Sequence, residues 1–248
     1  MTDVLPGAEP LSVAGGPAGA LVVHGFTGSP QSMRPLAEAF VAAGFTVEMP
    51  RLPGHGTSVD DMLKTGWTDW SSAAESAYQN LASRCSKVVV AGLSMGGTLT
   101  LWLATRHPEI AGIVPINAAA LPNPDMMAFV QAMVDEGDEL MDAIGNDLAD
   151  PDVTELAYDK TPLRPLLTLG THLTELSANL GRITCPTLVV VSEQDHVVDP
   201  SNSRHIAASV SGPVEELVLQ RSFHVATIDY DRDVINQRAV EFAQRVTT

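Results

Sequence analysis

Gly92-Leu93-Ser94-Met95-Gly96 is a G-x-S-x-G pentapeptide between an apolar β-branched run, 87–92, and a helical pattern, 95–107. A serine at such a strand-to-helix turn is placed to act as a nucleophile. Glycine on either side relieves the crowding of a very tight turn. The serine itself is expected in strained backbone geometry, with its Oγ standing clear. The first amides of the following helix point at the same spot, where an anion can be held.

A hydroxyl is a weak nucleophile until a base takes its proton. The motif therefore calls for a later acid and then a later histidine. Asp195 follows the run 185–192, and His224 follows the run 214–220. His224 is the candidate general base, and Asp195 the acid that fixes its tautomer and stabilises the imidazolium. Glu193 and Asp199 compete for the acid role. His24 reads as a structural hydrogen-bonder, His196 as a turn residue and Gly54-His55-Gly56 as a shaped loop. Two donors must also meet the oxyanion of a tetrahedral intermediate. The Met95 N–H follows the nucleophile, and the loop His24-Gly25-Phe26-Thr27-Gly28 offers the Phe26 N–H; a plain turn after a strand is the competing reading of that loop.

The elements that must position these groups alternate. Strand patterns at 19–25, 45–50, 87–92, 110–117, 185–192 and 214–220 are separated by helical ones at 30–44, 67–84, 95–107 and 201–210, with a last helix at 231–246. Pro115 weakens the strand at 110–117. The alternation predicts an α/β fold, a mostly parallel sheet with helices on both faces. The stretch 118–170 breaks the rhythm, with no strand pattern and with Met126, Met127, Met133 and Met141. It reads as a cap inserted into a core formed by 1–117 and 171–248, placed where ligands bind beyond strand ends.

Lys and Arg number 14 against 30 Asp and Glu, a formal charge of −16. That surface repels phosphate backbones and anionic headgroups, which excludes nucleic acid as the expected partner and suits a neutral substrate. No P-loop, dinucleotide fingerprint or metal-ligand spacing occurs, so no cofactor and no metal is expected. No apolar run reaches the length of a membrane span, and the N-terminus carries no signal-peptide pattern. Cys85 and Cys185 could bridge, but two free thiols in a reducing compartment are the simpler reading, and the cytoplasm is the expected location.

The segments LVVHGFTGSPQSMRPLAEAF, RLPGHGT, GLSMGGTLTLWLA, PDVTELAYDKTP, DHVV and HVATIDYD together resemble the small bacterial monoacylglycerol lipases and related carboxylesterases of the α/β-hydrolase fold. The resemblance covers nearly the whole chain. It implies hydrolysis of monoacylglycerols, small neutral lipid esters, to fatty acid and glycerol, with no stable membrane insertion. A short-chain carboxylesterase of broader specificity is the runner-up, and a binding module on the same fold is the reading from another class. Motif by motif, the resemblance implies Ser94, Asp195 and His224 as the triad, and Phe26 and Met95 as oxyanion amides. In the cap, the Met, Phe and Leu surface of 121–148 either packs on an acyl tail or merely glues the cap to the sheet. Glu155 is a candidate acceptor for a glycerol hydroxyl, with a solvated helix face as its alternative. Ile144 is a candidate for the pocket wall.

Overall fold

The run Lys87–Leu93 shows how the sheet sorts its residues. Side chains alternate across a strand, so Val88 and Val90 join one buried cluster while Val89, Ala91 and Leu93 join another on the opposite face. Both faces are covered, as a parallel sheet requires. The computed structural model describes residues 3–143 and 145–248.

In chain order the elements are β1 (Leu11–Val13), β2 (Ala18–Val23), α1 (Arg34–Ala42), β3 (Thr46–Met49), α2 (Val59–Met62), α3 (Trp67–Ala82), β4 (Lys87–Leu93), α4 (Met95–Ala104), β5 (Gly112–Ile116), α5 (Pro124–Glu136), β6 (Leu140–Asp142), β7 (Lys160–Pro162), α6 (Leu163–Asn179), β8 (Thr187–Ser192), α7 (Ser201–Ser209), β9 (Val214–Leu219) and α8 (Arg232–Thr247). The main sheet runs β1-β3-β2-β4-β5-β8-β9. All its pairs are parallel except β1 with β3. Helices α1 and α8 cover one face through Leu36, Phe40, Ile235 and Phe242. Helices α3, α4, α6 and α7 cover the other through Trp70, Tyr78, Leu99, Leu173 and Ile206. Each such side chain, buried whole, contributes roughly 1.5–3 kcal/mol. Among the described residues, no helix is long and apolar enough to cross a membrane.

Pro115 sits inside β5, a central strand, opposite Gly92. Ile113 and Asn117 donate their N–H groups toward the β8 side. By alternation, residue 115 faces the same way. The missing donor therefore falls between the two recorded β5–β8 pairs, Ile113 with Thr187 and Ile116 with Val190, where the ladder is interrupted.

The stretch between β5 and β8 departs from expectation in two respects. It contains strands: β6 and β7 pair antiparallel as a small separate sheet. Three residues are too few for an alternation to register in the sequence. Helix α6 also runs unbroken across position 170, because Pro165 lies in its first turn, where no intrahelical N–H partner is lost, and Gly170 sits against Met127 of α5.

Candidate active site

Ser94 joins β4 to α4 with φ +55° and ψ −120°, a region that costs a non-glycine residue about 1–3 kcal/mol. The surroundings impose it. Ser94 donates its N–H to Ile116 O at 2.9 Å and accepts the Thr98 N–H at 2.9 Å. A Cβ at Gly92 would overlap the Gly96 carbonyl, and one at Gly96 would overlap the Val23 carbonyl of β2. The two glycines thus answer different neighbours: one the turn itself, the other the adjacent strand.

His224 lies beyond β9, and its Nδ1 is 2.8 Å from Asp195 Oδ2, beyond β8. That bond fixes the tautomer that leaves Nε2 free. The other Asp195 oxygen accepts the N–H groups of Val197 and Val198, each at 2.8 Å. Its side chain is only 1 % exposed, so every acceptor site that matters is turned inward. The competing acids lie elsewhere. Glu193 is exposed. Asp199 accepts the Ser201 N–H at the start of α7, and its hydrogen bonds from Ser201 hold its carboxyl below the usual range.

Asn117, which the sequence patterns did not single out, gathers these parts. It adopts φ +43°, which Asn takes up more readily than a branched residue does. Its Nδ2 donates to His224 O at 2.8 Å, and its Oδ1 accepts the Ser192 N–H at 2.8 Å. The Ser192 hydroxyl in turn donates to Phe223 O at 2.8 Å. Ser94 and His224 are therefore anchored on consecutive residues, Ile116 and Asn117. Among the described residues, Ser94 Oγ and His224 Nε2 share no hydrogen bond; such contacts commonly tighten only once substrate is bound.

The loop after β2 approaches the serine closely. A Cβ at Gly25 would lie 3.3 Å from the Ser94 Cβ. Phe26 packs edge-on to Trp70 at 5.6 Å, and Thr27, at φ +61°, ties its hydroxyl to Phe26 O. His24 holds the loop. Its Nδ1 donates to Gly25 O at 2.9 Å and its Nε2 accepts the Leu52 N–H at 3.1 Å, so the ring is neutral. Burial lowers its pKa to about 4. Met95, the first residue of α4, has an N–H with no acceptor in its own helix.

Glu155 is in no helix, which removes the solvated-helix-face alternative. Its Oε1 would be 2.7 Å from a Cβ at Gly28, so glycine there makes room for the carboxyl. Burial raises the Glu155 pKa to about 7, against opposing pulls from His224 and the Ser32 hydroxyl. The carboxyl thus stands beside Gly28 of the Phe26 loop. Ile144 lies outside the described residues. The apolar face of α5 divides: Val130 and Val134 pack with Leu163, while Met126 and Phe129 remain exposed. Of the other histidines, His107 pairs with Glu75, His172 stacks on Trp67 and His205 meets Ser177, while His55 packs edge-on against His24 and Phe26. Among the described residues, no group of three His, Cys, Asp or Glu side chains is gathered to hold a metal ion.

Residues 17–230 match the family model described as serine aminopeptidase, S33. The chain is 51 % identical to the thermostable monoacylglycerol lipase of Bacillus sp. (strain H-257), over 96 % of this chain and 95 % of that protein. It is 28 % identical to a carboxylesterase of Bacillus subtilis (strain 168), over 96 % and 97 %. Among solved structures, one described under LipS and LipT, two metagenome-derived lipolytic enzymes, superposes with a TM-score of 0.94 at 43 % identity, covering 98 % of this chain and 100 % of the other. The chain belongs to the serine aminopeptidase, S33 family, as a carboxylic ester hydrolase of the α/β-hydrolase fold.

Proposed function

We propose that this protein cleaves monoacylglycerols to a free fatty acid and glycerol through an acyl-enzyme on Ser94. The observation that carries the reading is the 2.8 Å bond from His224 Nδ1 to Asp195, at the strand ends where Ser94 is held in its strained turn. His224 Nε2 takes the Ser94 proton as Oγ attacks the ester carbonyl, and the Met95 and Phe26 amides hold the resulting oxyanion. The same imidazole returns the proton to the departing glycerol oxygen. Water then attacks the acyl-enzyme by the reverse sequence and releases the fatty acid. Asp195 keeps the imidazole oriented and balances its charge.

Residues 118–170 are read as a cap on a core formed by 1–117 and 171–248. Helix α5 and the β6–β7 pair, both between β5 and β8, support that division. The glycerol head is assigned to Glu155, whose carboxyl faces the loop of the proposed oxyanion amides. The acyl tail is assigned to the apolar side chains of the cap. The name of the 51 %-identical relative favours this substrate. Two unpaired thiols, Cys85 and Cys185, support a reducing compartment, the cytoplasm.

The carboxylesterase relative keeps a second reading in view, a broad-specificity esterase. Comparing kcat/KM for a monoacylglycerol and for the methyl ester of the same acyl chain separates them. Our reading predicts a preference for the glycerol ester of about tenfold or more, the worth of one hydrogen bond to a charged group, and its disappearance in Glu155→Ala. Equal values in the unaltered protein would favour the broad esterase.

A further inference from the structure

Two carboxylates that take no part in the reaction proposed above join the inserted segment to the loop bearing His224. Asp229, at 1 % exposure, accepts the N–H groups of Ala149 and Phe223 on one oxygen and of Asp150 and Tyr230 on the other. Asp147 answers from the inserted side. Its Oδ2 accepts the His224 N–H at 3.0 Å and the His196 N–H at 3.2 Å, and its Oδ1 meets His196 Nδ1 at 2.8 Å.

The two residues that Asp147 grips are informative. His224 is the proposed base, and His196 directly follows the proposed acid, Asp195. The His196 ring also packs edge-on against Phe223, the neighbour of His224, at 4.6 Å. One carboxylate thus bonds to both loops, the one that carries the imidazole and the one that carries Asp195. Hydrogen bonds of this kind, to an ionised acceptor, are about twice as strong as neutral ones.

Anchoring the inserted segment does not require this side chain. The Asp147 carbonyl already accepts the Val225 N–H at 3.2 Å, and Asp229 holds residues 149 and 150. Among the described residues, the hydrogen bonds that the Asp147 carboxylate adds go to His196 and His224. We propose that Asp147 is a positioning residue: it acts through His224 and Asp195 by fixing the two loops that carry them. The proposal rests on the reading of Ser94, His224 and Asp195 given above.

The test compares the unaltered protein with Asp147→Ala and with Asp147→Asn, which keeps an oxygen for one of the amides. Each is assayed on a soluble p-nitrophenyl ester, with kcat expressed per folded molecule. Asp147→Ala is expected to lose about 100-fold in kcat with KM within about twofold, the signature of misplacement at the reacting centre. Asp147→Asn should recover about tenfold of that loss, consistent with one retained hydrogen bond. The low-field proton resonance of the His224–Asp195 bond should weaken in Asp147→Ala and return in Asp147→Asn. An undiminished kcat in Asp147→Ala, or a loss carried by KM alone, overturns the proposal. Labelling the unaltered protein with a fluorophosphonate separates the two levels: an adduct on Ser94 upholds the reaction even if Asp147 proves idle, and its absence removes the reaction itself.

Discussion

The stretch between β5 and β8 holds two regions of opposite character. Residues 145–158 are tied to the core along their length. Asp147, Ala149 and Asp150 bond to the His224 and Asp229 side; Gln31 reaches Thr154 O and Leu156 N; and Tyr158 N–H donates to Thr27 O beside the Phe26 loop. Helix α5, Pro124–Glu136, is held by packing instead. Val130 and Val134 press on Leu163, and among the described residues no hydrogen bond joins the helix to the main sheet. Phe129 is 58 % exposed and Met126 44 %. Directional bonds fix positions, whereas apolar contacts tolerate sliding. The first region is accordingly a strap that joins the loop of His224 to the loop of Phe26 and Thr27. The second is a helix whose exposed apolar side chains, Met126 and Phe129, are those the proposed function assigns to the acyl tail.

The strap should give the largest response in stability. Asp229→Ala removes the buried partner of four part-buried N–H groups and should cost about 3 kcal/mol in urea unfolding. A loss below about 1 kcal/mol would mean that these bonds do not hold the strap, and the contrast with α5 would fail.

Glu155, within the strap, gives a pH-dependent response. Its carboxyl ionises near pH 7 in the folded protein, against 4.5 for the ordinary group, because burial disfavours the charge. Between those values the folded state keeps a proton that the unfolded chain has released, so stability falls as pH rises through the window and the penalty is constant above it. Glu155→Gln should therefore match the unaltered protein near pH 4 and exceed it at pH 8 by at most about 3 kcal/mol. Parallel stability curves for the two proteins would contradict the burial of this carboxyl.

The smallest effect on the fold is expected from α5. Phe129→Ser should change stability by less than about 0.5 kcal/mol, as exposed substitutions do. It should raise KM for a long-chain monoacylglycerol a few-fold, about 1 kcal/mol of lost tail contact, while leaving a short-chain ester unaffected. An equal rise for both esters would mean that the exposed ring supports the site and not the tail.

Much of the scaffold was legible because it obeys local rules. The β–α alternation comes from periodicities of two and 3.6, and Ser94, Asp195 and His224 stand out because each follows a recognisable strand. The features that stayed hidden depend on partners distant in sequence. Asp147 and Asp229 look like ordinary surface acids until the fold brings backbone amides 77 and 80 residues away to them. Asn117 carries no signal beyond following a strand, yet it bonds both Ser192 and His224. Pro115 argued against a central strand, and only the position of the interruption in its ladder explains why it is tolerated there. Strands β1, β6 and β7 are three residues each, shorter than any pattern can detect.

In the function proposed above, an activated serine at the β4–α4 turn performs the chemistry, driven by the His224 imidazole. Mass spectrometry after fluorophosphonate treatment tests it most directly. One adduct per chain is expected, on Ser94, forming at least about a thousandfold more slowly in His224→Ala. An adduct on another residue, or equal labelling of the two proteins, would contradict it.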